Sequence, residues 1–322
     1  MRVSVVVATF RRPDFLARCL AALKVQDFDP TEWEIVIADD AASDATRSQV
    51  EDAARTLAPV PVRYLAVTRT QGPAAARNAG WRGALGSIIA FTDDDCVPDR
   101  HWLLEGVSAL DRTGADAAGG RIVVPIPPEP TDYELDATGL ERAEFATANA
   151  FCRRDALLAV GGFDERFTQA WREDSDLQFA LLTAGFTVAS APDAIVVHPV
   201  RAGRWGISLA QQRKSRFEAL SYRNFPTLYR TRISPGPPWA YYASVLTLGV
   251  GSLAGVSGSW TVAALAFGGW FALTARFCAL RLKRTSKRPG HVAEMIITSA
   301  LIPPLSIFWR IRGAIACHVW FL

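Results

Sequence analysis

Over the first 125 residues, apolar positions fall into short continuous runs separated by stretches of helical period, the pattern of a mostly parallel sheet covered by helices. Residues 3–8 form an unbroken run rich in valine, as expected of a strand buried on both faces. Phe15, Cys19, Leu20 and Leu23 then recur at helical spacing behind an Arg12-Pro13-Asp14 start. A second strand is predicted over 34–38, ending in Asp39-Asp40, and Ser43-Asp44 caps a helix to about residue 57. A third strand over 62–66, a helix over 74–85 opened by Gly72-Pro73, and a fourth strand over 88–91 complete the alternation. These strands end in Thr9, Asp39-Asp40, Thr68-Arg69 and Asp93 to Asp95, so polar groups collect where an open α/β sheet binds its ligand.

The pattern loosens after Arg121. Residues 123–130 hold four prolines in eight positions and read as a loop that could serve as a mobile lid. A helix is expected over 174–182 and a short strand over 194–198. From Trp239 to Ala275 there is no charged residue, a length that suits a tight pair of membrane helices, about 241–256 and 260–279. The basic cluster Arg281, Lys283, Arg284, Lys287 and Arg288 keeps the following loop on the cytoplasmic side. Residues 292–312 are apolar but carry Pro303-Pro304 and then Arg310 and Arg312. An interfacial segment is favoured there over a third crossing or a re-entrant turn. A buried soluble hairpin is the alternative for the whole tail. The expected organisation is a domain over 1–220, a basic, proline-rich linker over 221–238 and a membrane-associated helical tail over 239–322. The location is then the cell (inner or plasma) membrane, with the first domain facing the cytoplasm.

Charge sharpens this picture. The net charge is only +3, but from Arg201 to Arg232 there are eight Lys or Arg and one acid, Glu218. That asymmetry suggests a local anionic partner, either membrane lipid or diphosphate. Nucleic acid is poorly supported, because the basic residues adjoin the hydrophobic tail and not an aromatic-studded face. The five scattered cysteines show no CxxC spacing, so neither a disulfide framework nor a zinc site is expected. The chain enters a strand directly after Met1-Arg2, which predicts no cleavable signal peptide.

Asp93-Asp94-Asp95 is the densest chemistry in the chain. Three adjacent carboxylates at a strand end repel one another unless a cation or ligand offsets them. In extended backbone Asp93 and Asp95 face the same way and can share one hard metal, while Asp94 points elsewhere. Mg²⁺ or Mn²⁺ held by few carboxylates completes its shell with phosphate oxygens, so a metal–diphosphate site is expected. The bland alternative is an acidic turn into Val97-Pro98-Asp99.

Read together, six stretches resemble glycosyltransferase family 2, over about residues 1–220. They are 3–12, Ile35-Val36-Ile37-Ala38-Asp39-Asp40-Ala41-Ala42-Ser43-Asp44, Gly72-Pro73-Ala74-Ala75-Ala76-Arg77-Asn78-Ala79-Gly80, 89–95, Gly161-Gly162-Phe163-Asp164-Glu165 and Arg172-Glu173-Asp174-Ser175-Asp176-Leu177. The resemblance implies an α/β fold: a Rossmann-like A-type glycosyltransferase domain with a mostly parallel mixed sheet, followed by a helical transmembrane or interfacial tail. It implies an inverting hexosyl- or deoxyhexosyltransferase that uses Mn²⁺ or Mg²⁺ and a nucleotide-diphosphate sugar, a UDP-sugar by default. The acceptor would be a hydroxyl of a lipid-linked or other membrane-proximal glycan. Thr9, Asp40, Arg77, Asp93 and Asp94 would serve the nucleotide, with Asn78 ordering its loop. Asp95, Asp93 and His198 would hold the metal, and Asp174 would be the general base. Asp40 alone also reads as a turn residue, Arg77 alone as an exposed helix arginine, and Glu173-Asp174-Ser175-Asp176 as an acidic helix start. Two departures stand out: Ala41-Ala42 replace the usual glycine and serine, and Gln211 to Phe217 only approximates the box of processive synthases, which favours single-sugar transfer. The alternatives are a polyprenyl-phosphate glycosyltransferase and a non-catalytic nucleotide-sugar-binding membrane protein.

Overall fold

The computed structural model describes residues 1–321. The chain divides into two compact units, Met1–Pro125 with Thr138–Val200, and Ile126–Ala137 with Arg201–Leu322. The first unit is built on one eight-stranded sheet. Its strands are β1 Val3–Thr9, β2 Trp33–Asp39, β3 Val62–Ala66, β4 Ile88–Asp93, β5 Val97–Pro98, β6 Ala117–Val123, β7 Asn149–Arg153 and β8 Val188–Val197. They lie in the order β3-β2-β1-β4-β7-β6-β8-β5. The four strands read from the sequence form the parallel half, with Thr9 level with Asp39 and Ala8 level with Asp93. That register brings the polar strand ends to one edge, and β1, β2 and β4 are buried almost throughout, which is why their apolar runs are continuous.

The other half mixes directions. β7 runs antiparallel to β4 and β6, β6 pairs in parallel with β8, and β5 pairs antiparallel with β8. The short strand expected over 194–198 is therefore the end of a ten-residue strand. Val97 pairs with Val197, so the residues just before β5 and just after β8 meet. Helices Pro13–Lys24, Asp44–Leu57, Pro73–Gly83, Trp102–Thr113 and Glu173–Thr183 cover the sheet connections. Ser43 caps the second of these through its hydroxyl, as its position predicts.

Among its described residues the second unit holds three helices long and apolar enough to cross a membrane, Trp239–Val256, Trp260–Leu282 and Pro289–Ala316. The segment expected over 292–312 extends to 289–316 as one continuous helix containing both Pro303 and Pro304, so no re-entrant turn forms there. It is also the most covered of the three, with 39% of its apolar window buried against 17% and 11% for the other two.

Gly106, in the helix Trp102–Thr113, shows how closely helix and sheet approach. A Cβ there would lie 2.0 Å from the Phe151 ring of β7. Glycine to alanine in a helix normally gains about 1 kcal/mol, but overpacking a core costs about 1–3 kcal/mol. Gly106→Ala should therefore lower the melting temperature of the protein in detergent, and an unchanged or raised value would refute this packing.

Candidate active site

The end of β1 turns directly into the acidic edge. Thr9 Oγ1 donates to Asp94 Oδ2 at 2.8 Å, and Arg12 Nη1 reaches Asp94 Oδ1 at 3.1 Å. Asp94 is only 1% exposed, and these two bonds tie its carboxylate to the β1 end. Burial pushes it up, and Arg12 works against that.

The two acids after β2 divide their work. Asp39 is fully buried and accepts from the Ala41 and Ser43 amides at 2.9 and 2.8 Å and from the Tyr64 hydroxyl at 3.1 Å. It builds the loop in which Ala42 takes a left-handed φ of 49°, a conformation that glycine adopts more cheaply than alanine. Asp40 is only partly buried, and both its oxygens lie 3.0 Å from the Gly72 amide. Gly72 needs its lack of a side chain: its φ is 118°, and a Cβ would come 2.9 Å from Thr168 Cα. Burial raises Asp40, and the Gly72 amide opposes that shift.

Arg77 is not the exposed helix arginine that its position alone suggests. It is 4% exposed, because the helix Pro73–Gly83 buries most of its surface. Nη2 reaches Asp93 Oδ1 at 2.7 Å and Nη1 reaches Glu173 Oε1 at 3.1 Å. One guanidinium thus spans the acids of β4 and of the Glu173–Thr183 helix. Next to it Asn78 is fully used: its amide donates to Phe163 O and Glu165 Oε1, and its oxygen accepts from Trp81 Nε1 and the Phe163 amide, all at 2.9 Å. This locks the 161–165 loop onto the helix.

Asp174 is half-buried, and Thr147 Oγ1 donates to its Oδ1 at 2.5 Å. Burial raises Asp174, while Arg77 and Thr147 pull it down. Its neighbour Glu173 is pushed up to about 7, first by burial and then by Asp174. Arg172, which begins this helix, has a left-handed φ of 72°. With Arg11 and Ala42 it is one of three strained residues at this edge of the sheet, a pattern common in functional loops.

Asp93, Asp95, Cys96 and His198 each place a ligand atom within 4.8 Å of the others, the β5–β8 pairing having brought His198 to the acids. His198 Nε2 lies 3.6 Å from Asp95 Oδ1. Burial, then the two acids, holds the Cys96 thiol well above its usual range; the rest of the cluster is two carboxylates and an imidazole. That hard set fits Mn²⁺ or Mg²⁺. Sequence reasoning missed Thr147, Arg12, Glu173 and Cys96. Arg12 and Glu173 lie within quoted stretches and Cys96 adjoins one, whereas nothing near Thr147 signals its partner 27 positions away.

This sheet with acids at the mouth of β4 defines an A-type nucleotide-sugar transferase. The chain matches the descriptions "Glycosyl transferase family 2" over residues 4–163 and "Glycosyl transferase family group 2" over residues 88–308, and it belongs to family 2 of the glycosyltransferases. It is an enzyme, which sets aside the non-catalytic alternative. Among relatives, it is 27% identical to glycosyltransferase AglE of Haloferax volcanii over 208 residues, covering 62% of this chain and 67% of that one. It is 29% identical to the succinoglycan biosynthesis protein ExoM of Rhizobium meliloti over 231 residues, covering 68% and 73%. Among solved structures, the mannosyltransferase PcManGT of Pyrobaculum calidifontis, in complex with GDP-Man and Mn²⁺, has the same fold, with a TM-score of 0.62 at 20% identity over 96% of this chain and 87% of that one.

Arg77→Gln should strand Asp93 and Glu173 in a buried setting and destabilise the protein by about 3–5 kcal/mol. Without its cation Glu173 rises further, and a carboxyl raised on folding costs stability increasingly as pH climbs above its unfolded value. Melting temperatures of the variant and the wild type should therefore diverge more at pH 8.5 than at pH 5.5. A pH-independent gap would contradict the pairing.

Proposed function

We propose that this enzyme transfers a single sugar, with inversion, from a nucleoside-diphosphate donor to a hydroxyl of a lipid-linked glycan during cell-envelope or polysaccharide biosynthesis. The observation that carries this reading is the convergence of Asp174 with the Asp93, Asp95 and His198 set around one guanidinium, Arg77. The involvement of ExoM in succinoglycan biosynthesis supports the product class.

Asp40 keeps lone pairs beyond the Gly72 amide and is suited to accept the N3–H of a uracil ring. Thr9 and Asp94 act indirectly, by fixing the β1 end on which the nucleotide rests. Asp93, Asp95 and His198 are the residues that would hold the divalent ion, which when bound supplies charge stabilisation to the departing diphosphate. Asp174 takes the proton from the attacking hydroxyl. Its carboxylate is aimed by Thr147, and Arg77 keeps it from rising further.

For the tail, the proposed reading is that the hairpin of helices Trp239–Val256 and Trp260–Leu282 crosses the bilayer; the basic residues at its end support a cytoplasmic catalytic domain. The helix Pro289–Ala316 lies in the interface. It touches the basic 201–233 stretch along its length, from Glu294, which accepts from the Gly206 amide, to Gly313, packed on Arg216 O. Those contacts span about 29 Å at helical rise, the full hydrocarbon thickness, and so charged a stretch cannot accompany a helix through it. Its opposite face exposes Ile296, Ile297, Leu301, Phe308, Ile311 and Ile315 to lipid.

Asp174→Asn should lower kcat by about 10²–10⁴-fold with donor binding retained. A nearly silent substitution would instead indicate an acceptor that is already ionised, such as polyprenyl phosphate. Thr147→Val removes a donor that holds Asp174 down, so the acid limb of the pH–rate profile should move to higher pH. Chelation should abolish transfer, Mn²⁺ should restore it, and Asp95→Asn should block that restoration. Transfer that persists in chelator removes the metal from the reading.

A further inference from the structure

The helix Pro289–Ala316 buries Arg310 to 7% exposure. Among the described residues no carboxylate pairs with it, and its Nε and Nη2 atoms have no hydrogen-bond partner. Its guanidinium instead lies over the Phe321 ring, with Cζ 4.3 Å from the centroid. A cation–π contact offsets only part of the cost of removing a guanidinium from water. Nearby, Arg230 Nη2 donates to Phe321 O at 3.0 Å, and its Nη1 is also without a partner. Among the described residues no acid pairs with either guanidinium; Glu218, the buried acid of the same aromatic cluster, accepts from the Tyr229 hydroxyl at 2.7 Å.

Arg310 lines an open cleft of about 550 Å³, whose other wall is the segment 234–239. That wall carries no acid. Three of its residues are prolines, which offer no amide N–H to compete for a ligand, and Trp239 contributes an indole that is 70% exposed. Trp239 is the first residue of the first apolar helix, a position at which tryptophan marks the membrane–water boundary. The cleft therefore opens at the depth of lipid headgroups, where phosphate is the abundant anion.

We propose that this cleft binds a phosphate carried by a membrane lipid, with Arg310 as its counter-ion. The inference rests on reading the tail as membrane-embedded, and it adds a phosphate subsite separate from the metal cluster. The guanidinium fork matches phosphate geometry, so lysine is a poor substitute. The acyl or prenyl chain runs along the exposed apolar surface of the neighbouring helices, and each buried methylene strengthens binding.

The test is a thermal-shift titration of the full chain in non-ionic detergent, without donor or divalent ion, using dodecyl phosphate and inorganic phosphate as probes. Dodecyl phosphate should stabilise the wild type at a concentration at least about tenfold below that needed of inorganic phosphate. Arg310→Met should lose the response and Arg310→Lys should weaken it. Equal potency of the two probes would assign the cleft to free phosphate and overturn the lipid source. An equal response of the wild type and Arg310→Met, or none from either, would overturn the site. Should the arginine variants fail to fold, Gly236→Asp provides a second route: a Cβ there meets nothing nearer than Trp239 Nε1 at 4.0 Å, and the new carboxylate should abolish the dodecyl phosphate response. A folded Gly236→Asp that still responds would refute the proposal. Because neither metal nor sugar nucleotide is present, failure here is distinguishable from failure of the catalytic reading.

Discussion

The bond network of Arg77 is the constraint on which the catalytic unit depends. Five carboxylates, Asp93, Asp94, Asp95, Glu173 and Asp174, crowd one edge of the sheet, and unscreened repulsion among them would open it. Arg12 answers Asp94, while Arg77 answers Asp93 on one side and Glu173 on the other. Asp93, Asp95 and His198 stay together at this edge, and a divalent cation fits such a set. The position of Arg77 matters as much as its charge. It ties a helix after β3 to the end of β4 and to a helix begun 96 residues later, so the geometry of the metal set and that of Asp174 are set by a common side chain.

Buried acids elsewhere in the same sheet show what a purely structural carboxylate looks like. Glu34 is fully buried and receives Ser4 Oγ, the Leu85 amide and Arg63. Asp39 receives two amides and a phenol. Both are surrounded by donors from fixed backbone or short side chains, as a buried charge requires. Asp174, proposed as the base, differs: it is only half-buried and accepts from the Thr147 hydroxyl. Asp95, proposed as a metal ligand, is 2% exposed, so burial alone does not separate the proposed working acids from the architectural ones.

Legibility in the sequence followed the range of the interactions involved. β1 to β4 and the helices between them were readable because each is specified by its own apolar period, and the polar residues at their carboxyl ends follow directly. β5 to β8 were read poorly, since antiparallel pairing across 50 or more residues leaves no local period, and β8 was seen only at its last turn. Arg77 read alone gave the wrong environment, because its partners lie 16 and 96 positions away. The motif resemblance supplied what periodicity could not, naming Asp93, Asp95, Asp174 and His198 as a group. It carried no information on Thr147, whose hydroxyl matters only through the fold.

The tail obeys the same electrostatic logic with the sign reversed. Arg281 is kept nearly buried by Asp132, Thr298, Ser299 and Ser208, so its charge is neutralised within the second unit. Burial, then Arg213 and Arg312, pushes Arg216 down, marking a place where cations gather. Arg213 and Arg312 both lie over the Trp309 ring, 5.9 and 5.2 Å from its centroid. An apolar helix with Arg310 on its covered face and isoleucines on its open face suits neither water nor hydrocarbon. The proposed interfacial placement fits that division, because lipid phosphates at the boundary are anions within reach of such a helix.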